Sequence, residues 1–323
     1  MQFIDAATID RRLSYPRLID VLEQAFRNGA IAPPRHHHHV PLDGRPEAAW
    51  LLMPAITASA PGATTAGKYM GVKSVTVFPD NMARSGKPGV FGTYLLNTTE
   101  TGELLAVMDA TRLTLWRTAA AGALAARYLA SADASRLVMV GAGALAPYFI
   151  RAHASVRPIR EVLIWNRSID AANRIADGFD GEAFSVCAVT DLEAACRAAD
   201  IIATATMSKE PLVRGAWLKP GAHVDSCGAY TAHMRETDDD LVSRARIFVD
   251  TRAGAFGEAG DILQPIKAGV IGESAVLGDL YDLTRGTVKG RQSPGDITFF
   301  KSVGASIEDL AAAVAVYEGA APL

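Results

Sequence analysis

Residues 137–147 read LVMVGAGALAP, a short apolar run followed by a glycine turn and the start of a helix. Gly141 permits a tight turn after the strand, and Gly143 lets backbone N–H groups approach a pyrophosphate. Ala146 stands at the third glycine position of the GxGxxG fingerprint, where alanine is also accepted. The helix that follows presents free N–H groups and the positive end of its dipole, so the segment predicts a dinucleotide site. The predicted contacts are Gly141, Ala142, Gly143, Ala144 and Leu145.

The segments around this turn decide the fold class. Short apolar runs alternate with helical stretches, in the order RLVMVGAG, EVLIWNRS, ADIIATAT, AHVDSCG and ARIFVD. Buried strands separated by crossover helices are typical of a parallel sheet. The pattern therefore predicts an α/β protein with a Rossmann dinucleotide-binding domain over residues 113–294.

The rest of the chain has a different pattern. A helix is predicted over residues 14–29, and strand-like runs with a hairpin follow it within residues 48–109. An alanine-rich helix comes next, with Thr111 as its predicted N-cap. The tail, residues 297–319, is predicted as a final helix that returns to this part of the chain. We therefore expect a second, α+β domain formed by residues 1–112 and 295–323.

The second strand of the Rossmann pattern indicates which nucleotide is bound. An NAD enzyme usually ends this strand with Asp or Glu, which binds the ribose 2′-hydroxyl. Here EVLIWNRS ends with Asn166, Arg167 and Ser168 and has no acid at that end. Because Arg167 can pair with a 2′-phosphate, we predict NADP(H), with NAD(H) as the alternative. Thr204, near the end of ADIIATAT, completes the predicted contacts on this part of the chain.

The composition excludes several classes of partner. The chain has 323 residues, of which 49% are hydrophobic and 21% charged, with a formal charge of −3. This balance gives no electrostatic reason to expect nucleic acid or a membrane surface as a partner. No apolar run approaches the roughly 20 residues that span a bilayer, and no secretory signal is seen at the N-terminus. With three cysteines and no CxxC, the expectation is a cytoplasmic enzyme with free thiols.

Two cations lie where an apolar side chain would be expected. Arg117 interrupts an apolar stripe of the alanine-rich helix, and Lys73 alternates onto the same strand face as Val75 and Val77. A desolvated charge is costly unless an anion meets it. That anion is either a bound substrate or an internal Asp or Glu. A third cation, Arg35, follows two prolines in an extended loop, and its position alone says little.

Residues 36–39 are four adjacent histidines. Their spacing is neither the i, i+4 of a helical metal site nor the alternation of a strand site, and no Cys or carboxylate cluster accompanies them. We therefore predict no metal site.

Several of these segments resemble one known family. LMPA (52–55), GVKSVTVFPDN (71–81), LWRTAAAGALAARYLA (115–130), VGAGALA (140–146) and FKSVGASIEDLAAA (300–313) are similar to the ornithine cyclodeaminase/μ-crystallin family. The resemblance implies a homodimer, with a substrate and dimerisation domain that is completed by the C-terminal helix. It implies that Arg35, Lys73 and Arg117 hold the carboxylate of an α-imino or α-amino acid. It also places Ser302, Val303 and Gly304 near the nicotinamide.

One segment departs from the cyclodeaminase pattern. Cyclodeaminases carry a GGDxPGKTE-like run with a catalytic Asp, whereas residues 227–236 read CGAYTAHMRE and have Tyr230 at that position. A phenol with a pKa near 10 is poorly suited to activate an amine or water. The run looks like that of the ketimine reductase branch of the family.

The resemblance therefore implies NADPH-dependent reduction of Δ1-pyrroline-2-carboxylate to L-proline, or of the piperideine analogue to L-pipecolate, within amino-acid metabolism. Lys73 is the candidate for controlling imine protonation. Tyr230 either donates a hydrogen bond to the imine or lines the pocket. Three alternatives stay open: an ornithine cyclodeaminase, an alanine dehydrogenase-like enzyme, and a non-enzymatic μ-crystallin-like protein that binds NADPH and small ligands.

Overall fold

The computed structural model describes residues 1–319 and divides the chain into two units. The N-terminal unit contains Met1–Arg117 together with the chain from Ala305 onward, and the Rossmann unit contains Thr118–Gly304. The predicted boundaries at 112/113 and 294/295 therefore lie five and ten residues too early. The larger error arises because a strand that was predicted as part of the last helix belongs to the Rossmann sheet.

The N-terminal unit is built on a seven-stranded sheet with the order β1-β7-β6-β5-β4-β2, in which β3 also pairs with β4. Only β1 and β7 are parallel among the described pairs; the other pairs are antiparallel. The strands are β1 (Gln2–Ile4), β2 (Ala30–Ile31), β3 (His36–Val40), β4 (Ala48–Ala58), β5 (Ala66–Val77), β6 (Val90–Thr98) and β7 (Leu104–Asp109). Its helices are α1 (Ala6–Arg12), α2 (Tyr15–Asn28), α3 (Asn81–Ser85), the first part of α4 (Ala110–Leu129) and α12 (Ser306–Glu318).

One face of this sheet is covered by α12. Alternate residues of β4 (Leu51, Met53 and Ala55) are buried on that face, as the period of two of a strand requires. Helix α12 packs against β4, β5, β6 and α2. The helix is apolar on nearly all sides, and most of its residues are buried, which explains why it forms the centre of the unit.

The predicted N-cap of α4 is wrong by two residues. The helix begins at Ala110, and it is Asp109 whose side chain accepts a hydrogen bond from the N–H of Arg112 (2.8 Å). Thr111 lies inside the helix, and its hydroxyl instead accepts a hydrogen bond from the N–H of Gly92 (3.0 Å). Both residue types are good caps, so the local sequence alone did not distinguish them.

The Rossmann unit contains an eight-stranded, fully parallel sheet with the order β10-β9-β8-β11-β12-β15-β13-β14. Its strands are β8 (Arg136–Val140), β9 (Glu161–Trp165), β10 (Ser185–Val189), β11 (Ile201–Thr204), β12 (His223–Ser226), β13 (Arg246–Val249), β14 (Val276–Asp279) and β15 (Thr298–Lys301). Its helices are α5 (Ala146–Ala154), α6 (Ile169–Ala176), α7 (Leu192–Ala198), α8 (Asp239–Arg244), α9 (Arg252–Glu258), α10 (Gly260–Lys267) and α11 (Leu280–Arg285). The predicted α/β fold class is confirmed.

Strand β15 corrects the prediction of a continuous C-terminal helix. Thr298–Lys301 pairs in parallel with both β12 and β13, and Phe299 and Phe300 are fully buried. A four-residue apolar run has no clear period, so it reads equally well as the start of the helix that follows.

None of the helices in the described part of the chain has the length and apolarity that a bilayer crossing requires.

Candidate active site

Lys73 and Arg117 lie together in the N-terminal unit and are neutralised by two carboxylates of α12. The Lys73 ammonium lies 2.8 Å from Oδ2 of Asp309 and donates to Oδ1 at 2.9 Å. Arg117 donates from Nε to Oδ1 of Asp309 (2.9 Å) and from Nη1 to Oε2 of Glu308 (2.7 Å). All four side chains are buried. Of the two anions considered from the sequence, the internal Asp or Glu is therefore present, and the role of the cations toward a substrate stays a prediction.

The local structure explains why these four side chains meet. Lys73 shares the α12-facing side of β5 with the buried Tyr69, and Arg117 lies on the inner side of α4. Glu308 and Asp309 occupy the first turn of α12, where the helix dipole favours negative charge. Sequence reasoning missed both acids. The available signal was two adjacent carboxylates inside an otherwise apolar helix.

The charges of this cluster shift one another's ionisation. Burial lowers the pKa of Lys73 to about 8; Asp309 opposes this shift, while the charges of Arg117 and Arg35 add to it. Burial acts to raise the pKa of Asp309, but Arg117 and Lys73 outweigh it and hold this pKa below its usual value. Arg35 is half-buried, and its effect on Lys73 places it near the cluster. Glu308 and Asp309 thus hold the side chains of Lys73 and Arg117 in place, and the pKa of Lys73 is about 8.

Tyr94 is a further buried polar group next to the cluster. It is the cross-strand partner of Lys73, and its hydroxyl has no hydrogen-bond partner among residues 1–319. Gly71 makes room for it, since a Cβ at Gly71 would lie 2.5 Å from the Tyr94 hydroxyl. Burial and the charge of Asp309 raise the pKa of Tyr94 well above its usual value. The group is therefore a neutral phenol.

The glycine turn of the Rossmann unit has the geometry that the fingerprint requires. Gly141 has φ +109°, and its N–H donates to the carbonyl of Trp165 (2.8 Å). A Cβ at Gly141 would lie 2.9 Å from the Ala205 carbonyl, whereas one at Gly143 would meet nothing within 4 Å. Helix α5 has no side-chain cap, but backbone carbonyls take its first N–H groups: Ala146 donates to Gly143 (3.1 Å), and Tyr148 and Phe149 donate to Leu145 (3.0 Å each). The contacts that this turn can offer a pyrophosphate therefore come from the glycine turn itself. These features fit a pyrophosphate at the start of α5.

The residues after β9 lie beside this turn. Asn166 donates to the Ser168 carbonyl (3.1 Å), and the Ser168 hydroxyl caps α6. Arg167 is exposed and forms no ion pair in the part of the chain that the structure describes. A cavity of about 560 Å³ opens next to these residues, and its lining includes Trp165, Leu212, Arg214 and Trp217. Asp191, the N-cap of α7, also lines this cavity. A nucleotide bound here would thus meet Arg167 at the end of β9 and both an acid and a cation in the cavity.

The other predicted residues of this unit follow strands of the same sheet. Thr204 ends β11 and is fully buried, and its hydroxyl has no hydrogen-bond partner among the described residues. The N–H groups of Val303 and Gly304 both donate to Oδ2 of Asp250 (2.8 and 2.7 Å), so a carboxylate that was not predicted holds this turn. Tyr230 is half-buried, and burial raises its pKa. A phenol with a raised pKa is a still poorer base than the sequence suggested.

The chain matches a known protein family along nearly its whole length. A model of the ornithine cyclodeaminase/mu-crystallin family matches residues 2–322. The chain is 39% identical over 310 residues to the Δ(1)-pyrroline-2-carboxylate reductase of Paracoccus denitrificans. The match covers 96% of this chain and 94% of that protein.

Two solved structures match almost the whole chain. The Δ(1)-pyrroline-2-carboxylate reductase of Thermococcus litoralis, in complex with NADH and L-proline, has a TM-score of 0.91 and 31% identity and covers 99% of this chain and 97% of that one. An archaeal alanine dehydrogenase dimer with bound NAD has a TM-score of 0.88 and 31% identity and covers 99% and 96%.

A Rossmann unit with this glycine turn, in a chain similar over almost its whole length to two Δ(1)-pyrroline-2-carboxylate reductases, defines the class: the protein is an oxidoreductase with a dinucleotide-binding fold. The chain belongs to the ornithine cyclodeaminase/mu-crystallin family. The resemblance that was read from the sequence motifs is confirmed.

Proposed function

We propose that this protein reduces a cyclic ketimine with NADPH, converting Δ1-pyrroline-2-carboxylate to L-proline and its six-membered analogue to L-pipecolate. The observation that carries the proposal is Tyr230, a phenol with a raised pKa at the position of the catalytic Asp of cyclodeaminases. The similarity to the reductases of Paracoccus denitrificans and Thermococcus litoralis supports it. In this proposal the N-terminal unit binds the substrate and the Rossmann unit binds the cofactor.

Lys73, Arg117 and Arg35 are proposed to bind the substrate carboxylate. Glu308 and Asp309 hold the side chains of Lys73 and Arg117 in place, so these two cations need little reorganisation when a further anion arrives, although the same acids neutralise their charge. The acids also limit the cost of keeping two cations buried while no substrate is bound. The site is thus preorganised for a small carboxylate.

The reaction adds a hydride to the imine carbon and a proton to the imine nitrogen, so that one imine, one NADPH and one proton give one amino acid and NADP⁺. The bound nicotinamide supplies the hydride. Lys73 is proposed to hold the proton near the imine, since its pKa of about 8 lets it be protonated at neutral pH yet release the proton readily. For Tyr230 the proposal keeps both predicted roles, a hydrogen bond to the imine or a place in the lining of the pocket.

The proposed preference for NADPH rests on the end of β9. Arg167, flanked by Asn166 and Ser168, offers a charge and polar groups to a 2′-phosphate, and the absent acid removes the usual partner of a 2′-hydroxyl. The proposed cofactor contacts are Gly141, Ala142, Gly143, Ala144, Leu145, Asn166, Arg167, Ser168, Thr204, Val303 and Gly304.

The protein is also proposed to form a homodimer. The face of the N-terminal sheet opposite the buried Leu51, Met53 and Tyr94 carries the exposed side chains of Trp50 and Phe91 (42% and 45% exposed). Exposed aromatic groups on a sheet face are typical of an interface, and the archaeal alanine dehydrogenase is a dimer. A cytoplasmic location is proposed because Cys187, Cys196 and Cys227 are all free thiols.

The test is a comparison of substrates with one purified protein. Δ1-pyrroline-2-carboxylate with NADPH should bleach the absorbance of the reduced cofactor at about 340 nm and yield L-proline. Ammonia release from L-ornithine without such bleaching would contradict the proposal and favour a cyclodeaminase. Faster turnover of pyruvate with ammonia than of the imine would favour the alanine dehydrogenase reaction. That reaction is an alternative because the chain is similar to an archaeal alanine dehydrogenase.

A further inference from the structure

A single buried carboxylate, that of Glu236, joins two loops of the Rossmann unit. Its Oε1 accepts hydrogen bonds from the N–H (2.6 Å) and the hydroxyl (2.7 Å) of Thr206, in the loop after β11. Its Oε2 accepts from the Ser226 hydroxyl (2.9 Å) and from the N–H groups of Gly228 (2.9 Å) and Ala229 (3.2 Å), at the end of β12 and in the loop after it. Glu236 is fully buried.

The loop after β11 lies against the glycine turn that follows β8, and the loop after β12 lies against the loop after β11. A Cβ at Gly141 would come within 3.0 Å of the Thr206 methyl group, and one at Gly228 would lie 2.0 Å from the Thr206 carbonyl oxygen. Because the carboxyl ends of parallel strands meet at one edge of the sheet, all three loops lie where a dinucleotide binds. The position of Thr206, and hence the shape of this edge, depends on Glu236.

The negative charge of Glu236 is balanced from inside the same unit. The Lys301 ammonium lies 3.1 Å from Oδ2 of Asp261, 3.3 Å from the Ser226 hydroxyl and 3.9 Å from Oε2 of Glu236. Lys301 and Asp261 are also fully buried. Asp261 contacts the backbone of the segment that carries Glu236: its Oδ1 accepts from the N–H groups of Glu236 (2.9 Å) and Thr237 (2.8 Å). The two acids thus share one cation but have different partners: Asp261 accepts from the backbone of Glu236 and Thr237, whereas the Glu236 carboxylate accepts from Thr206 after β11 and from Gly228 and Ala229 after β12.

We propose that Glu236 is a positioning residue for cofactor binding: its carboxylate sets the loops after β11 and β12 so that they accommodate NADPH. A backbone N–H can only donate a hydrogen bond, so it needs an acceptor opposite it. An amide in place of the carboxylate would turn an NH₂ group, which is also a donor, toward Thr206 or toward Gly228 and Ala229. The inference rests on the proposed cofactor and does not depend on which imine is reduced.

The test measures the dissociation constant of NADPH itself, with no imine present, together with the melting temperature. Glu236→Gln should raise the dissociation constant at least about tenfold, equivalent to roughly 1.4 kcal/mol. The matched control is Asp261→Asn, which changes the other acid of the same buried cluster. It should lower the melting temperature to a similar degree and change the dissociation constant less than about threefold.

A second pair of variants avoids changing a buried charge. Thr206→Val removes one donor to Glu236 and should raise the NADPH dissociation constant about threefold, whereas Thr206→Ser keeps the hydroxyl and should bind nearly as the unchanged protein does. Equal effects of Glu236→Gln and Asp261→Asn, or equal binding by Thr206→Val and Thr206→Ser, would overturn the proposal. If the unchanged protein binds no NADPH, the proposed cofactor is wrong and the inference falls with it, a result seen before any variant is made.

Discussion

The ammonium of Lys73 lies 2.8 Å from a carboxylate oxygen of Asp309, a residue 236 positions later in the chain, and both side chains are buried. The pair joins the middle of β5 to the first turn of α12. Arg117 contacts the same carboxylate, so one acid holds two cations. Stability and substrate binding are therefore expected to be linked at this site, and variants have to be chosen to separate them.

Removing the charge of Asp309 should destabilise the protein strongly. Asp309→Asn leaves Lys73 and Arg117 with only Glu308 as a buried counter-charge, and breaking a buried ion pair typically costs about 3–5 kcal/mol. The free energy of unfolding in denaturant measures the effect. The control is Glu193→Gln, which breaks an exposed pair with Arg197 and should cost less than about 0.5 kcal/mol. Similar losses in the two variants would contradict the importance of the buried cluster.

The pH profile of kcat/KM should report the ionisation of Lys73 in the free enzyme. With a pKa of about 8, Lys73 is a cation below pH 8 and neutral above it. Because the carboxylate of the substrate needs the cation, kcat/KM should fall by about tenfold per pH unit above that value. A bound carboxylate favours the charged form, so the corresponding fall in kcat should appear at higher pH.

Two variants identify the group responsible for this fall. Lys73→Arg should lose the step near pH 8, because a guanidinium stays charged, and should keep any step that belongs to the imine itself. Tyr94→Phe removes the neighbouring phenol and should leave the step in place. A step near pH 8 that survives in Lys73→Arg would assign it to another group.

The role of Arg117 toward the substrate can be separated from its structural role with a double variant. Arg117→Ala should weaken imine binding by about 2–5 kcal/mol, roughly 30-fold to a few thousand-fold, and should also lower stability. Adding Glu308→Gln removes the negative charge that faced Arg117, so part of the lost stability should return while imine affinity stays low. The NADPH dissociation constant should change little in either protein. Recovery of imine affinity in the double variant would show that Arg117 serves the fold alone.

Arg167 should determine the preference between the two nicotinamide cofactors. Arg167→Ala should weaken NADPH binding by about 10- to 100-fold and NADH binding by less than about threefold, because only NADPH carries the 2′-phosphate. Arg174→Ala, which removes an exposed cation from α6, the helix that follows Arg167, is the matched control and should affect neither cofactor. Equal losses for the two cofactors in Arg167→Ala would remove the assignment of a 2′-phosphate contact.

The sequence predicted the elements whose signal is local. The turn at Gly141 depends on two glycines between a buried strand and a helix, and the structure has this turn with a positive φ at Gly141. Lys73 and Arg117 were recognisable because each interrupts an apolar pattern. Their partners were not, since α12 brings Glu308 and Asp309 to Arg117 from 191 and 192 residues away in the chain, and Asp309 to Lys73 from 236 residues away. Glu236 was missed because its contact with Thr206, 30 residues earlier, forms only when β11 and β12 lie side by side in the sheet.

The most direct test of the central claim follows the hydride itself. The enzyme is supplied with Δ1-pyrroline-2-carboxylate and NADPH that carries deuterium at both C4 positions, and the product is analysed by mass spectrometry and NMR. The account predicts L-proline with one deuterium at C2, because that carbon of the imine receives the hydride. Proline without deuterium at C2, or no proline while the cofactor is bound, would contradict it.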